Sequence, residues 1–208
     1  MKLITVIADI VASRAVINRR ELQESLVCVL DDLNRQRGDA LVSPYTVTLG
    51  DEFQAIYRHA SGLFADLWRI SAALHPVCLR YSIALGELAT PVNKKQALGM
   101  DGPAFHIARD GIEQARKLEA MFRVGGAMSE LELINDSLML ISHLARGWNS
   151  NRFGIEAGLS AGKPVKEISK EVGISASAVY KNINAAALET ITAITRDIEL
   201  ALSQGEGP

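Results

Sequence analysis

The chain has 208 residues, 48% of them apolar and 22% charged, with 22 lysines and arginines against 24 aspartates and glutamates for a net charge of −2. That composition belongs to one large folded domain or two small ones with a real core, and it excludes a disordered chain. It supplies no global attraction to nucleic acid or to a membrane surface, so such binding must come from a local patch, and no apolar run is long enough to span a bilayer.

Residues 2–8 form an almost continuous apolar run of the kind a buried central strand shows, and the run ends in Asp9. It carries Asp9 and Arg14 and has no small-residue cleavage site, so it is not read as a signal peptide, and a cytoplasmic location is expected. Cys28, in a helical pattern, and Cys78, in a strand pattern, lack metal-ligand spacing and read as buried small hydrophobes in a reducing compartment. The loop Ile10-Val11-Ala12-Ser13-Arg14 leads into a helix over residues 18–37 with Leu22, Leu26, Val29, Leu30 and Leu33 at helical spacing. Backbone amides in such a loop can hold phosphate, with Arg14 assisting, or the loop is a plain connection.

Two alternating runs, residues 45–49 and 53–57, then flank Gly50, Asp51 and Glu52, and the pattern predicts a hairpin with Asp51 at its tip. If the first strand lies beside this hairpin, Asp9 and Asp51 converge into an oxygen-rich site suited to Mg²⁺ or Mn²⁺ holding a nucleotide's phosphates. Taken singly, Asp51 reads as a turn residue and Asp9 as a strand-end residue capping the next helix; it is the pair in this order that points to a site. Glu52 is either a third metal ligand or a solvated turn carboxylate.

A helix over residues 60–74 carries Leu63, Phe64, Leu67, Trp68 and Ile70 and stops at His75-Pro76. The strand over 77–88 places Leu79, Tyr81, Ile83 and Leu85 on one face. The order β, α, β, β, α, β is that of a ferredoxin-like α+β unit, a mostly antiparallel sheet with two helices on one face. An exposed loop with Lys94 and Lys95 follows. Asp101-Gly102-Pro103 then opens a helix over 104–119 whose inward stripe is Phe105, Ile107, Ala108, Ile112, Ala115 and Leu118. Residues 121–124 read as a short edge strand, and Ser129 with Glu132 reads as a capping box for a helix reaching about residue 146.

The break at residues 147–150 divides the chain into an α/β domain over 1–147 and an all-helical domain over 148–208. In KPVKEISKEVGISASAVYKNI, Ser169, Gly173 and the apolar Ile168, Ile174, Val179 and Ile183 stand at the offsets of a helix-turn-helix. Its second helix would present Ser175, Ala176, Ser177, Tyr180, Lys181 and Asn184 to DNA; the other reading is a helical packing module. Residues 149–184 carry Arg152, Lys163, Lys166, Lys170 and Lys181 against Glu156, Glu167 and Glu171, five less three, a net +2. That is a small charge for phosphate contacts unless dimerisation doubles the footprint. The last helix, with Leu188, Ile191, Ile194, Ile198 and Leu202 on one stripe, either supplies a homodimer contact or packs on its own domain.

With these residues in view, residues 1–120 resemble the palm domain shared by class III nucleotidyl cyclases and diguanylate cyclases. The matching pieces are Asp9-Ile10, Leu49-Gly50-Asp51-Glu52-Phe53, the segment from Arg80 to Glu87, Gly102-Pro103-Ala104 and Ala108-Arg109. The whole chain is similar to the SatD family, which pairs TLGDEFQ and GMDGPAF with a C-terminal helix-turn-helix. The palm resemblance implies that Asp9 and Asp51 hold metal ions and that Ile10, Ser13, Arg14, Gly50 and Arg109 surround a nucleotide. The chain departs from the palm pattern in having Leu49 for the first turn glycine. It also has His106 and Asp110 where cyclases place an asparagine and an arginine, with Arg109 one position off. With the metal pair kept and the charge-stabilising pair absent, the expected function is a DNA-binding regulator with a nucleotide- or metal-sensing palm. The alternatives are an active metal-dependent cyclase or nucleotidyltransferase, with Arg109 or Lys94-Lys95 supplying the charge, and a dimerising scaffold. Each of His59, His75, His106 and His143 stands singly and reads as surface or core.

Overall fold

A computed structural model of the chain describes residues 2–13, 18–48 and 50–204. Among them the order is β1 (Leu3–Ile10), α1 (Arg19–Gln36), β2 (Leu41–Val47), β3 (Glu52–Tyr57), α2 (Leu63–Leu74), β4 (Leu79–Gly86), α3 (Pro103–Leu118), β5 (Phe122–Gly126) and α4 (Leu131–Ala145). Four helices complete it: α5 (Ser150–Ser160), α6 (Val165–Val172), α7 (Ala176–Ala185) and α8 (Leu188–Gln204). The sheet has five strands in the order β2-β3-β1-β4-β5, with β1 central and antiparallel to both β3 and β4. The apolar run of β1 is therefore covered on both faces. Ile4, Val6, Ala8 and Ile10 join the core that includes Leu26, Leu30, Leu67 and Trp68 of α1 and α2. Leu3 and Ile7 face Phe105, Ala108 and Ile112 of α3.

This arrangement corrects the one-faced, ferredoxin-like expectation in two respects. α1 and α2 do share one face, but α3 covers the other, and β5 joins β4 in parallel, so the sheet is mixed. The close seating of α3 has a local cause. A Cβ added at Gly86 would stand 2.9 Å from the Ala104 Cα, and one at Gly111 would overlap the Ser82 hydroxyl. Small residues at these points let the helix approach the sheet more closely than side chains would permit.

Both sheet edges are covered. On the β5 side, Asn135 of α4 accepts from the Val124 amide at 2.9 Å and donates to the Val124 carbonyl at 3.0 Å, taking the place of a further strand. On the β2 side, Asn34 of α1 does the same, accepting from the Tyr45 amide at 2.7 Å and donating to the Tyr45 carbonyl at 2.9 Å. β2 begins earlier than its alternation suggested because it admits Pro44, and its pairing with β3 shifts register around that residue.

Several local expectations change. Cys28 and Cys78 are free and exposed, lying outside the buried positions of α1 and just before β4. The Ser129–Glu132 capping box does not form, because the chain turns left-handed at Glu130 and α4 starts from there. Leu118 is exposed, and Gly111 and Ala104 take places in the buried stripe of α3.

The core continues from the sheet into the last four helices. Trp68 of α2 lies 5.5 Å from Trp148 and 6.0 Å from Phe153 of α5, ring centre to ring centre. Glu199 of α8 accepts from the amides of Gly62 and Phe64 at 3.0 and 2.9 Å, satisfying donors at the start of α2. The apolar stripe of α8, including Leu188, Ile191, Ile198 and Leu202, is buried within the chain's own core and is not left for a second copy.

Candidate functional site

Placing β1 between β3 and β4 brings Asp9 into register with Glu52 on one side and Arg80 on the other. The Ile10 amide donates to the Asp51 carbonyl at 2.9 Å, so the two strand ends that carry Asp9 and Asp51 meet through their backbones. Their side chains are engaged separately. Asp51 Oδ2 accepts from the Ser13 hydroxyl at 2.6 Å, closing the loop after β1 over the hairpin tip. Asp9 lies on the face covered by α3, where Arg80 Nη1 approaches its two oxygens at 3.4 and 3.3 Å and Arg116 Nη2 approaches Oδ2 at 3.2 Å.

Asp9 is thus neutralised by two guanidinium groups, its side chain only 14% exposed. The hydrogen bond from Arg116 to Asp9, with Glu113 adding to it, holds that guanidinium above its ordinary pKa. Among the described residues, no group of three or more histidine, cysteine, aspartate or glutamate side chains could hold a metal ion. Asp9, Asp51 and the Ser13 hydroxyl are hard oxygen donors, and two carboxylates completed by phosphate oxygens suit Mg²⁺ or Mn²⁺. In chemical type these donors match such an ion, while here Asp9 is paired with Arg80 and Arg116 and Asp51 with Ser13.

The remaining nucleotide-site residues divide. Gly50 occupies the hairpin tip with φ +79°, a left-handed conformation that glycine adopts freely. The amides of Ile10 and Val11 are used by Asp51 and Cys78, so neither is a free phosphate donor. Arg14 and Leu49 lie outside the described residues. Arg109 is exposed on α3, and the cation that this helix brings to Asp9 is Arg116, two turns further along. Helical spacing puts Arg116 on the face of α3 that carries Arg109, but its pairing with Asp9, like that of Arg80, follows from the packing of α3 and the β1–β4 register.

Beside Arg80 opens a cavity of about 400 Å³, bounded by Val11, Val77, Met121, Trp148 and Phe153 among others. Its walls come from the sheet end, from α4 and from α5, with Trp148 and Phe153 packed against each other and against Trp68.

The segment expected to be a helix-turn-helix consists of α6, a turn at Gly173-Ile174-Ser175, and α7. Gly173 closes α6 at φ +75°, with its amide bonded to the Ser169 carbonyl, and the Ser175 side chain accepts from the Ala178 amide at the start of α7. Ile168, Val179 and Ile183 are buried where the helices meet. Ser175, Ala176, Ser177, Tyr180, Lys181 and Asn184 are all exposed. Glu156 of α5 is fully buried behind this segment, with Oε1 accepting from Thr192 at 2.9 Å and from Ser160 at 3.3 Å and Oε2 without a partner. Burial pushes its carboxyl up to about 7 against the pull of those two hydroxyls.

Fold and site together define a mixed α/β sheet domain with two carboxylates at neighbouring strand ends, continued by a bundle of helices. Residues 3–197 match the SatD family, and the chain belongs to it. No curated protein matches the chain in sequence. Among solved structures, it is similar to a bacterial light-regulated adenylyl cyclase, at 16% identity and a TM-score of 0.43 over 64% of this chain and 44% of that one. It is also similar to the guanylyl cyclase Cya2, at 14% identity and a TM-score of 0.36 over 55% of this chain and 70% of that one. Likeness of this degree concerns backbone layout over part of each molecule. The chain spans 44% of the light-regulated enzyme's length. Among the described residues, no helix is long and apolar enough to cross a membrane.

Proposed function

We propose that the chain is a ligand-responsive DNA-binding regulator. A nucleotide with Mg²⁺ or Mn²⁺ is sensed at the strand ends that carry Asp9 and Asp51, and α7 contacts duplex DNA. The observation that carries this reading is the cavity beside Arg80, which has sheet residues on one wall and Phe153 of α5 on another. A planar base held there touches the sheet end and the first helix of the helical segment at once. The metal would supply charge neutralisation of the phosphates, held by Asp9 and Asp51. Arg80 and Arg116, released from Asp9, would turn to the phosphate oxygens, for which a guanidinium is well shaped.

Tyr180, Lys181 and Asn184 supply the contacts of α7 with DNA, and the modest positive charge of the segment predicts weak, salt-sensitive binding. A random duplex pool and fluorescence anisotropy test this half. Lys181→Ala and Tyr180→Ala should each weaken binding several-fold at unchanged melting temperature, and unchanged affinity in both would remove DNA from the reading.

The second reading, a metal-dependent nucleotidyl cyclase or nucleotidyltransferase, is favoured by Arg116, because α3 does deliver a cation to the carboxylate site. Incubation with each nucleoside triphosphate and Mn²⁺, followed by chromatography, separates the two. A regulator leaves the nucleotide unchanged and shifts in DNA affinity when it is added. A new product that is lost in Asp51→Asn establishes the enzyme.

A further inference from the structure

The outward face of α4 carries Leu133, Leu140 and Leu144, exposed at 62%, 60% and 45%. With Ser137 they fall at spacings of four, three and four residues, the repeat of a two-helix seam. The opposite face of the same helix is fully committed: Ile134, Leu138 and Ile141 enter the core and Asn135 holds the edge of β5. The apolar row is therefore surplus to the fold of one chain. Isolated exposed leucines need no explanation, but three in register along one helix do.

Charge along α4 selects the occupant. Glu132 and Asp136 lie in its first half, with Glu130 just before it, while His143 and Arg146 lie at its other end, where Arg146 also meets Glu119. A second α4 laid antiparallel sets the acidic half of each helix beside the basic end of the other. Laid parallel, like charges would stand together. We infer that α4 is a self-association surface on which a second copy of this chain packs antiparallel about a two-fold axis. Leu133 then meets Leu144 of the second copy, and Leu140 meets Ser137. A seam of this size lies at the small end of specific interfaces, so the dimer is a weak one that forms at micromolar concentrations. The dimer contact suggested for α8 is unavailable, since that stripe is buried; α4 supplies one elsewhere, independently of what the nucleotide site binds.

The test is sedimentation of the full chain from about 1 to 100 μM, with Leu140→Glu as the variant. The expected result is a concentration-dependent dimer that Leu140→Glu abolishes while the melting temperature stays unchanged, as suits an exposed position. Register is read by disulfide trapping in a Cys28→Ser, Cys78→Ser background. A mixture of Leu133→Cys and Leu144→Cys chains should cross-link under mild oxidation. Leu133→Cys alone should not, because in the antiparallel arrangement its copies stand roughly 16 Å apart at 1.5 Å per residue. A chain that stays monomeric throughout the range, a dimer indifferent to Leu140→Glu, or cross-linking by Leu133→Cys alone would each overturn the inference.

Discussion

Arg116 Nη2 stands 3.2 Å from Asp9 Oδ2, so a helix on one face of the sheet reaches the carboxylate at the end of the central strand. Asp9 is a carboxylate held by cations, and on the proposed reading a ligand that brings both metal and phosphate would exchange partners with it without leaving either charge bare. Arg116→Ala should lower affinity for a nucleoside triphosphate with Mn²⁺ about tenfold in calorimetric titration, in line with the loss of one charge-assisted contact. Half exposed, Arg116 contributes little to the fold, and the same variant should melt within about 2 °C of the parent. Equal affinity in parent and variant would show that Arg116 serves Asp9 alone.

Glu156 makes stability depend on pH. Its folded pKa is raised to about 7 from an ordinary 4.5, so the folded chain holds a proton that the unfolded chain releases. This contribution is fully present below pH 4.5 and is lost as pH rises through 7. Its size is about 3 kcal/mol at most, from the cost of one pKa unit. Thermal melts at pH 5 and pH 8, referenced to the parent, should show that Glu156→Gln flattens the decline. A slope identical to the parent's would mean that the carboxylate is relieved by a partner at high pH.

A buried network joins the end of α1 to the sheet and α2. Arg37 Nε donates to Asp66 Oδ1 at 2.9 Å, the Tyr57 hydroxyl donates to Asp66 Oδ2 at 2.7 Å, and the Tyr45 and Tyr57 hydroxyls are 2.8 Å apart. Asp66→Ala leaves a guanidinium and a buried hydroxyl without their acceptor and should cost about 3 kcal/mol in chemical denaturation. Arg37→Ala strands the carboxylate and should cost a similar amount. A loss below about 1 kcal/mol in both variants would show that the network relaxes onto water, as exposed pairs do.

The contact of Gly111 with Ser82 sets the height of α3 above the sheet. In an unconstrained helix, glycine to alanine is stabilising by about 1 kcal/mol. Here Gly111→Ala meets the Ser82 side chain and should instead destabilise by about 1–3 kcal/mol, the usual cost of overpacking. Ser82 Oγ is itself buried without a partner, so Ser82→Ala should cost nothing and should recover much of the loss in the double variant. Additive effects of the two substitutions would place the strain elsewhere.

Much of the local structure was legible in the sequence because its causes are local. The apolar run of β1, the glycine-led hairpin, the serine cap of α7 and the glycine end of α6 each follow from a residue's own conformational preference or from the period of its neighbours. β2 was only partly legible, because Pro44 argues against a strand and only an edge position excuses it. The meeting of the two strand ends, in the sequence only conditional on the first strand lying beside the hairpin, was decided by the placing of β1 between β3 and β4. What occupies the carboxylates depends on contacts across that order. Arg80 and Arg116 surround Asp9, Ser13 holds Asp51, and Glu199 caps α2 from the far end of the chain, each across a sequence separation that no periodicity reports. So too with α3: periodicity showed that it was amphipathic, and only the close approach permitted by Gly86 and Gly111 put it on the second face of the sheet. Spacing along a chain encodes which side of an element is apolar, whereas the partner of a charged side chain is set by which elements pack together.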